Sequence, residues 1–170
     1  NLVVTAIGDW LKDESATSKV VSVSSKDRAA ILMGGKQPNQ VFWYDKKTGH
    51  LVTSSYYVKT LPEWAKKFNA ANWIETNLPP AWNKLKSFSE YDGEGPDDLP
   101  GEMVWGVGTS FPHQFVLNQR NDQILTSPWG DMLTLDFALA AVEGEKLGKR
   151  AGTDLLCVGL SSTDYVGHSF

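Results

Sequence analysis

Cysteine is nearly absent: Cys157 is the only one in the chain. No disulfide can form within it, and that leaves the redox compartment open. Cys157 lies inside an apolar run and reads as a buried small hydrophobe. Basic blocks and Arg-rich stripes are missing too, and the formal charge is -4. A nucleic-acid duplex is therefore not an expected partner, because phosphate-backbone binding needs clustered positive charge. No apolar run is long enough to span a bilayer as a helix. Asn1-Leu2-Val3-Val4-Thr5 has neither a charged n-region nor an apolar h-region, so no signal segment is read there. The chain reads instead as a piece of a longer protein, cut at both ends. The acidic stretch with Asp92, Glu94, Asp97 and Asp98 lacks the spacing of an EF-hand loop and reads as a solvated loop.

What is present is an ordinary globular composition, 41% hydrophobic and 21% charged, in 170 residues, which is enough for one domain with a real core. Residues 1–15 read as a helix with Val3, Ile7, Trp10 and Leu11 on one face and Asp9, Lys12 and Asp13 facing outward. Residues 19–24 form a β-branched run that reads as a strand. A short helical stretch follows over 29–33. Phe42-Trp43-Tyr44 and Leu51-Val52 flank a Gly-containing turn and predict a hairpin. His50, in that turn region, has no ligand cluster around it and reads as exposed. Residues 61–85 are mostly helical, interrupted near Asn69–Asn72 and at Pro79-Pro80. His113 reads as structural or solvent-facing. The strongest helix is Met132–Leu147. Met132, Leu135, Leu139 and Val142 make one stripe, Leu133, Phe137, Ala140 and Ala141 widen it, and Gly148 suits its C-cap. Leu155–Leu160 reads as a strand covered on both faces, as in a parallel sheet.

Two strand exits carry candidate chemistry. After the first strand come Lys26 and Arg28, a mobile point charge and a rigid fork that suit an anion. The same residues also fit a solvated charged cluster at a helix start. After the last strand come Asp164 and His168. A helical turn places them on one face, and an oxygen and a nitrogen donor together suit zinc or a similar divalent ion. Equally, Asp164 suits a turn cap and His168 a surface site. Polar exits at the carboxyl edge of a parallel sheet are where open α/β folds place ligands.

Longer strings narrow these choices. SSKDRAAILMGG, VFWYDKKTGHLVTSSYY, SPWGDMLTLDFALAAVEGEKLG and SSTDYVGHSF resemble segments of the alkaline phosphatase superfamily. They look most like the bacterial periplasmic enzymes of the type I phosphodiesterase/nucleotide pyrophosphatase group, which use a threonine nucleophile. The resemblance implies an α/β fold, part of an alkaline-phosphatase-like core with a mostly parallel sheet and flanking helices, plus an inserted mixed α/β cap region. It implies core segments over 1–34 and 126–170, with 35–125 as the insertion or cap. By the same resemblance Lys26 and Arg28 contact the substrate phosphoryl oxygens, and Asp164 and His168 bind one zinc of a two-zinc centre.

The implied activity is hydrolysis of small phosphate monoesters through a phosphothreonine intermediate, in a periplasmic or exported protein. The family's nucleophile, its phosphate-binding asparagine and its remaining zinc ligands have no counterpart in these residues. Thr163, beside Asp164, is not a substitute for the nucleophile. The chain alone is therefore expected to be inactive. Phosphodiesterase is the rival activity, and a non-catalytic phosphate-binding or structural piece is the rival class.

Overall fold

The computed structural model describes residues 2–91, 95–102 and 107–170. Asp92, Glu94 and Trp105 lie outside the described residues, so the reading of their loop does too.

The chain is an α/β fold built on a four-stranded, mostly parallel sheet. Helix α1, Ile7–Glu14, leads into strand β1, Val20–Ser24, and helix α2, Asp27–Gly34. Strands β2, Gln40–Asp45, and β3, His50–Val52, form the expected hairpin. Gly49 takes a positive φ of 73° in its turn, a conformation that a Cβ disfavours. The Asp45 side chain accepts hydrogen bonds from Thr48 Oγ1 at 2.7 Å and from the Lys47 amide at 3.3 Å. Helices α3, Glu63–Ala70, and α4, Trp73–Asn77, follow. A small antiparallel pair comes next, β4, Ala81–Trp82, with β5, His113–Gln114. Helix α5, Arg120–Gln123, a 3-10 turn and the long helix α6, Pro128–Glu145, lead to strand β6, Leu155–Gly159, and helix α7, Ser162–Gly167.

The sheet order is β3-β2-β1-β6, with β1 parallel to both β2 and β6. Every residue of β1 is buried, as its Val-rich sequence and central place require. The expected double cover of β6 is not met. Its five residues are all half-buried, because among the described residues β1 is its only neighbour. Cys157 is accordingly half-buried, and that burial raises its thiol pKa. The β2–β3 hairpin hydrogen-bonds directly to β1. The long parallel register from Val21↔Gln40 to Ser24↔Trp43 is what draws it in.

Two helices present the opposite face from the one their sequence predicts. In α1, Asp9 is fully buried while Ile7 and Trp10 are mostly exposed, and Val3 precedes the helix rather than joining it. The reason is polar. The Asp9 carboxylate accepts the backbone N–H of Ala6 at 2.8 Å, of Lys36 at 2.8 Å and of Gln37 at 2.7 Å. Burying a charge is tolerated when its acceptor capacity is filled in this way. In α6 the inner face is Leu133, Thr134, Phe137, Ala138 and Ala141, and Met132, Leu135 and Leu139 are exposed. The inner face is set by aromatic packing: Phe137 meets Phe42, Trp64 and Phe68 at centroid distances of 5.1, 5.1 and 5.0 Å. The helix ends at Lys146, itself in the left-handed region with φ 55°, two residues before Gly148.

Candidate functional site

Parallel pairing of β1 with β6 sets Ser24 opposite Gly159. Both strands therefore release the chain at the same edge, side by side. From β1 come Ser25, Lys26, Asp27 and Arg28, with Lys26 just before α2. From β6 come Ser161 and α7, which carries Asp164, with His168 at its C-cap. Lys26, Arg28, Asp164 and His168 all line one cleft of about 740 Å³. All four candidate residues are thus brought together, from segments more than 130 positions apart.

The local chemistry is specific. The Lys26 ammonium donates to Asp164 Oδ2 and lies 4.5 Å from the centre of the Tyr165 ring, within range of a cation–π attraction. The backbone N–H of Lys26 donates to Ser24 Oγ at 3.2 Å, and Ser24 Oγ in turn donates to the Gly159 carbonyl at 2.9 Å. One side chain thus ties the two strand exits. Lys26, donating to the Asp164 carboxyl, holds its pKa below the ordinary carboxylate range; the nearby His168 charge adds to this, and slight desolvation opposes it. His168 Nε2 lies 3.7 Å from Asp164 Oδ1. A helical turn places them on one face, as the i,i+4 spacing requires.

Several supporting residues carry no sequence signal of their role. Asp131, in the first turn of α6, accepts the N–H of Ser161 at 2.8 Å and of Ser162 at 2.9 Å on one carboxylate oxygen. It anchors the start of α7, a contact 30 positions away that no local pattern reveals. Gly130 is needed beside it, because a Cβ there would lie 2.7 Å from Ser162 Oγ and 2.8 Å from the Ile124 carbonyl oxygen. Trp43, Lys46 and Lys47 complete another wall of the cleft.

Other histidines stay outside the site. His113 is buried, its Nδ1 3.2 Å from the Val107 carbonyl, with Phe111 and Phe170 rings at 4.2 and 4.8 Å. Its structural reading is the one realised. His50 is half-buried at the start of β3, so it is less exposed than expected.

Asp164 and His168 fit zinc as a pair of donors, one carboxylate oxygen and one imidazole nitrogen directed to the same cleft. Among the described residues no group of three or more His, Cys, Asp or Glu could hold a metal. The pair is a partial coordination set.

No family model matches the chain. Known proteins do. Alkaline phosphatase PhoV of Synechococcus elongatus is 43% identical over 100% of the chain, which spans 32% of that protein. Alkaline phosphatase PafA of Elizabethkingia meningoseptica is 40% identical, again over 100% of the chain and 32% of the relative. The crystal structure of wild-type PafA matches 98% of the chain at a TM-score of 0.89 and 39% identity, covering 33% of that structure. A structure of a PafA variant, substituted among other positions at a lysine and an arginine two residues apart, matches with a TM-score of 0.91 and 38% identity. The chain spans about one third of the length of each. At this identity the shared fold is the alkaline-phosphatase-like core.

Proposed function

From the premise that this chain is homologous end to end to alkaline phosphatases of the PafA and PhoV kind, in the alkaline phosphatase superfamily, we propose that the protein hydrolyses small phosphate monoesters. The observation that carries the reading is the convergence of Lys26, Arg28, Asp164 and His168 on one cleft at the carboxyl edge of adjacent parallel strands. The lysine–arginine pair altered in the PafA variant has the spacing of Lys26 and Arg28, which supports their assignment to the phosphoryl group.

In this reading Arg28 and Lys26 bind the non-bridging phosphoryl oxygens, Arg28 through its planar fork and Lys26 as a point charge. Arg28 then stabilises developing negative charge directly, and Lys26 does so once its contact with Asp164 is exchanged for the phosphoryl group. Asp164 and His168 would hold one zinc ion of a two-zinc centre, which when bound would supply Lewis acidity to phosphoryl transfer. Asp131 keeps Asp164 in place by anchoring the α7 N-terminus. The nucleophile is a threonine supplied by another part of the protein; its oxygen attacks phosphorus, the bond to the ester oxygen breaks and the alcohol leaves, and water then cleaves the phosphothreonine to threonine and inorganic phosphate. Thr163, beside Asp164, is not assigned that role. The family resemblance also supports a location in the periplasm or outside the cell.

The test uses the full-length protein at saturating zinc, with an aryl phosphate and its methyl phosphodiester as substrates. Lys26→Ala and Arg28→Ala should each lower kcat/KM for the monoester by about 10²-fold or more. The diester, with one fewer negative oxygen, should lose less. Zinc content is checked in each variant. Equal losses would remove the preference for monoesters, and a larger loss on the diester would make the protein a phosphodiesterase.

A further inference from the structure

We propose that the cleft holds a second anion subsite, formed by Lys46 and Lys47 at the β2–β3 turn, and that it selects phosphate esters carrying another anionic group. The proposal rests on the phosphatase reading of the same cleft. Its origin is the order of elements along the sheet edge. Because the sheet runs β3-β2-β1-β6, the exit of β1 lies between the exit of β6 and that of β2. Asp164 and His168 follow β6, Lys26 and Arg28 follow β1, and Lys46 and Lys47 follow β2. A phosphoryl group at Lys26 and Arg28 therefore has the candidate metal donors on one side and two further cations on the other. All six residues line the same cleft. Neighbouring strands are about 4.8 Å apart, so this is a short reach for a small molecule.

Three observations favour a ligand there over a merely solvated turn. The cleft, at about 740 Å³, has room for a whole small molecule and not only its phosphoryl group. Of the acids that also line it, Asp164 is committed to the metal in the proposed function, Asp45 accepts Thr48 Oγ1 at 2.7 Å, and Asp27 accepts the Arg28 amide at 2.7 Å. Lys46 lies 3.5 Å from Asp122, both well exposed, a pairing too weak to neutralise it. Lys47 is exposed; after the Thr48 hydrogen bond, its charge helps to hold the neighbouring Asp45 carboxyl below the ordinary carboxylate range. Trp43, on the same wall, adds an apolar face against which a sugar or base ring can rest.

The experiment compares a hexose 1,6-bisphosphate with a hexose 6-phosphate on the full-length, zinc-loaded protein. The quantity read is the ratio of their kcat/KM values. Lys46→Ala and Lys47→Ala should each lower that ratio about threefold, and the double variant about tenfold, at low ionic strength. Raising the salt should shrink the difference between wild type and double variant, because exposed charges are screened. Lys149→Ala, on the exposed end of the chain segment after α6, should leave the ratio unchanged and so report on general charge effects. An unchanged ratio in the double variant overturns the subsite while leaving the phosphatase reading intact. If neither ester is hydrolysed, the phosphatase reading fails, and the subsite is decided by calorimetry with the non-hydrolysable bisphosphonate analogue. Weaker binding by the double variant upholds the subsite, and equal binding removes it.

Discussion

The carboxylate of Asp9 accepts backbone N–H groups from Ala6, Lys36 and Gln37, and both of its oxygens are used. A Cβ on Gly35, which has φ 79°, would lie 2.6 Å from Asp9 Oδ2, so the glycine is what allows the chain to wrap the carboxylate. Asp9→Asn replaces one acceptor with an amide that points a donor at another donor. The expected loss is about 2–3 kcal/mol of stability, read by denaturant titration. Burial raises the Asp9 pKa, but the three N–H donors and the Lys36 charge outweigh it, and the value sits below the ordinary carboxylate range. A depressed native pKa means that the contribution is complete above the unfolded value of about 4 and is lost as pH falls through the native one. Acid unfolding of Asp9→Asn should therefore be less steep below about pH 4 than that of the wild type. An identical profile would mean that Asp9 gives no acid-linked stability.

At the scale of elements, Gly144 carries an unusual consequence for a helix glycine. Alanine in a helix interior ordinarily gains about 1 kcal/mol over glycine. Here a Cβ would lie 2.3 Å from Trp64 Cγ and 2.8 Å from its Cβ, where the ring has no freedom to swing away. Trp64 is also fixed by donating to Glu145 at 2.8 Å, a carboxylate that accepts Lys19 at 2.6 Å and Gln40 at 2.7 Å as well. Gly144→Ala should then destabilise by about 1–3 kcal/mol and separate α3 from α6, which thermal unfolding and tryptophan fluorescence would report. A rise in stability would show that Trp64 repacks freely. The same helix shows how far the sequence can be read. Its existence and length are plain from an unbroken apolar composition, but that composition offers two apolar stripes, and only the distant partners Phe42 and Trp64 choose the Phe137 side. In α1 the reading fails for a related reason. A buried acid looks like a surface acid until its donors, Lys36 and Gln37, are seen more than 25 positions away. Strands β1 and β6 are legible because burial in a parallel sheet demands local apolar runs. Lys26, Arg28, Asp164 and His168 are candidates through their neighbouring strings, and the structure brings them to one cleft, whereas Asp131 carries no such signal, because its two N–H partners belong to another element.

On the scale of the whole molecule, two surfaces stand out. Met132, Leu135 and Leu139 form an exposed apolar stripe on α6, with Leu139 64% accessible. Strand β6 has one hydrogen-bonded neighbour among the described residues. Apolar stripes and open strand edges promote association. The 170-residue chain on its own should self-associate with rising concentration in sedimentation runs, and Leu139→Lys should reduce this; no change would separate association from that stripe. Asp164 and His168 alone leave most of a zinc coordination shell to water, so calorimetry on the same chain should show weak or no zinc binding. Tight one-to-one binding abolished by Asp164→Ala would reveal a fuller site than these donors provide.

Ser24 and Gly159, hydrogen-bonded across 135 positions, set a schedule for the growing polypeptide. Lys26 and Arg28 leave the ribosome well before Leu155–Gly159, and their strand has no partner on the β6 side until that segment emerges. Joining such remote segments costs loop-closure entropy before any contact repays it, and high-separation pairings of this kind slow folding. The Lys26 and Arg28 side of the cleft is therefore synthesised long before it can be organised, and this cleft is among the last parts of the region to become native.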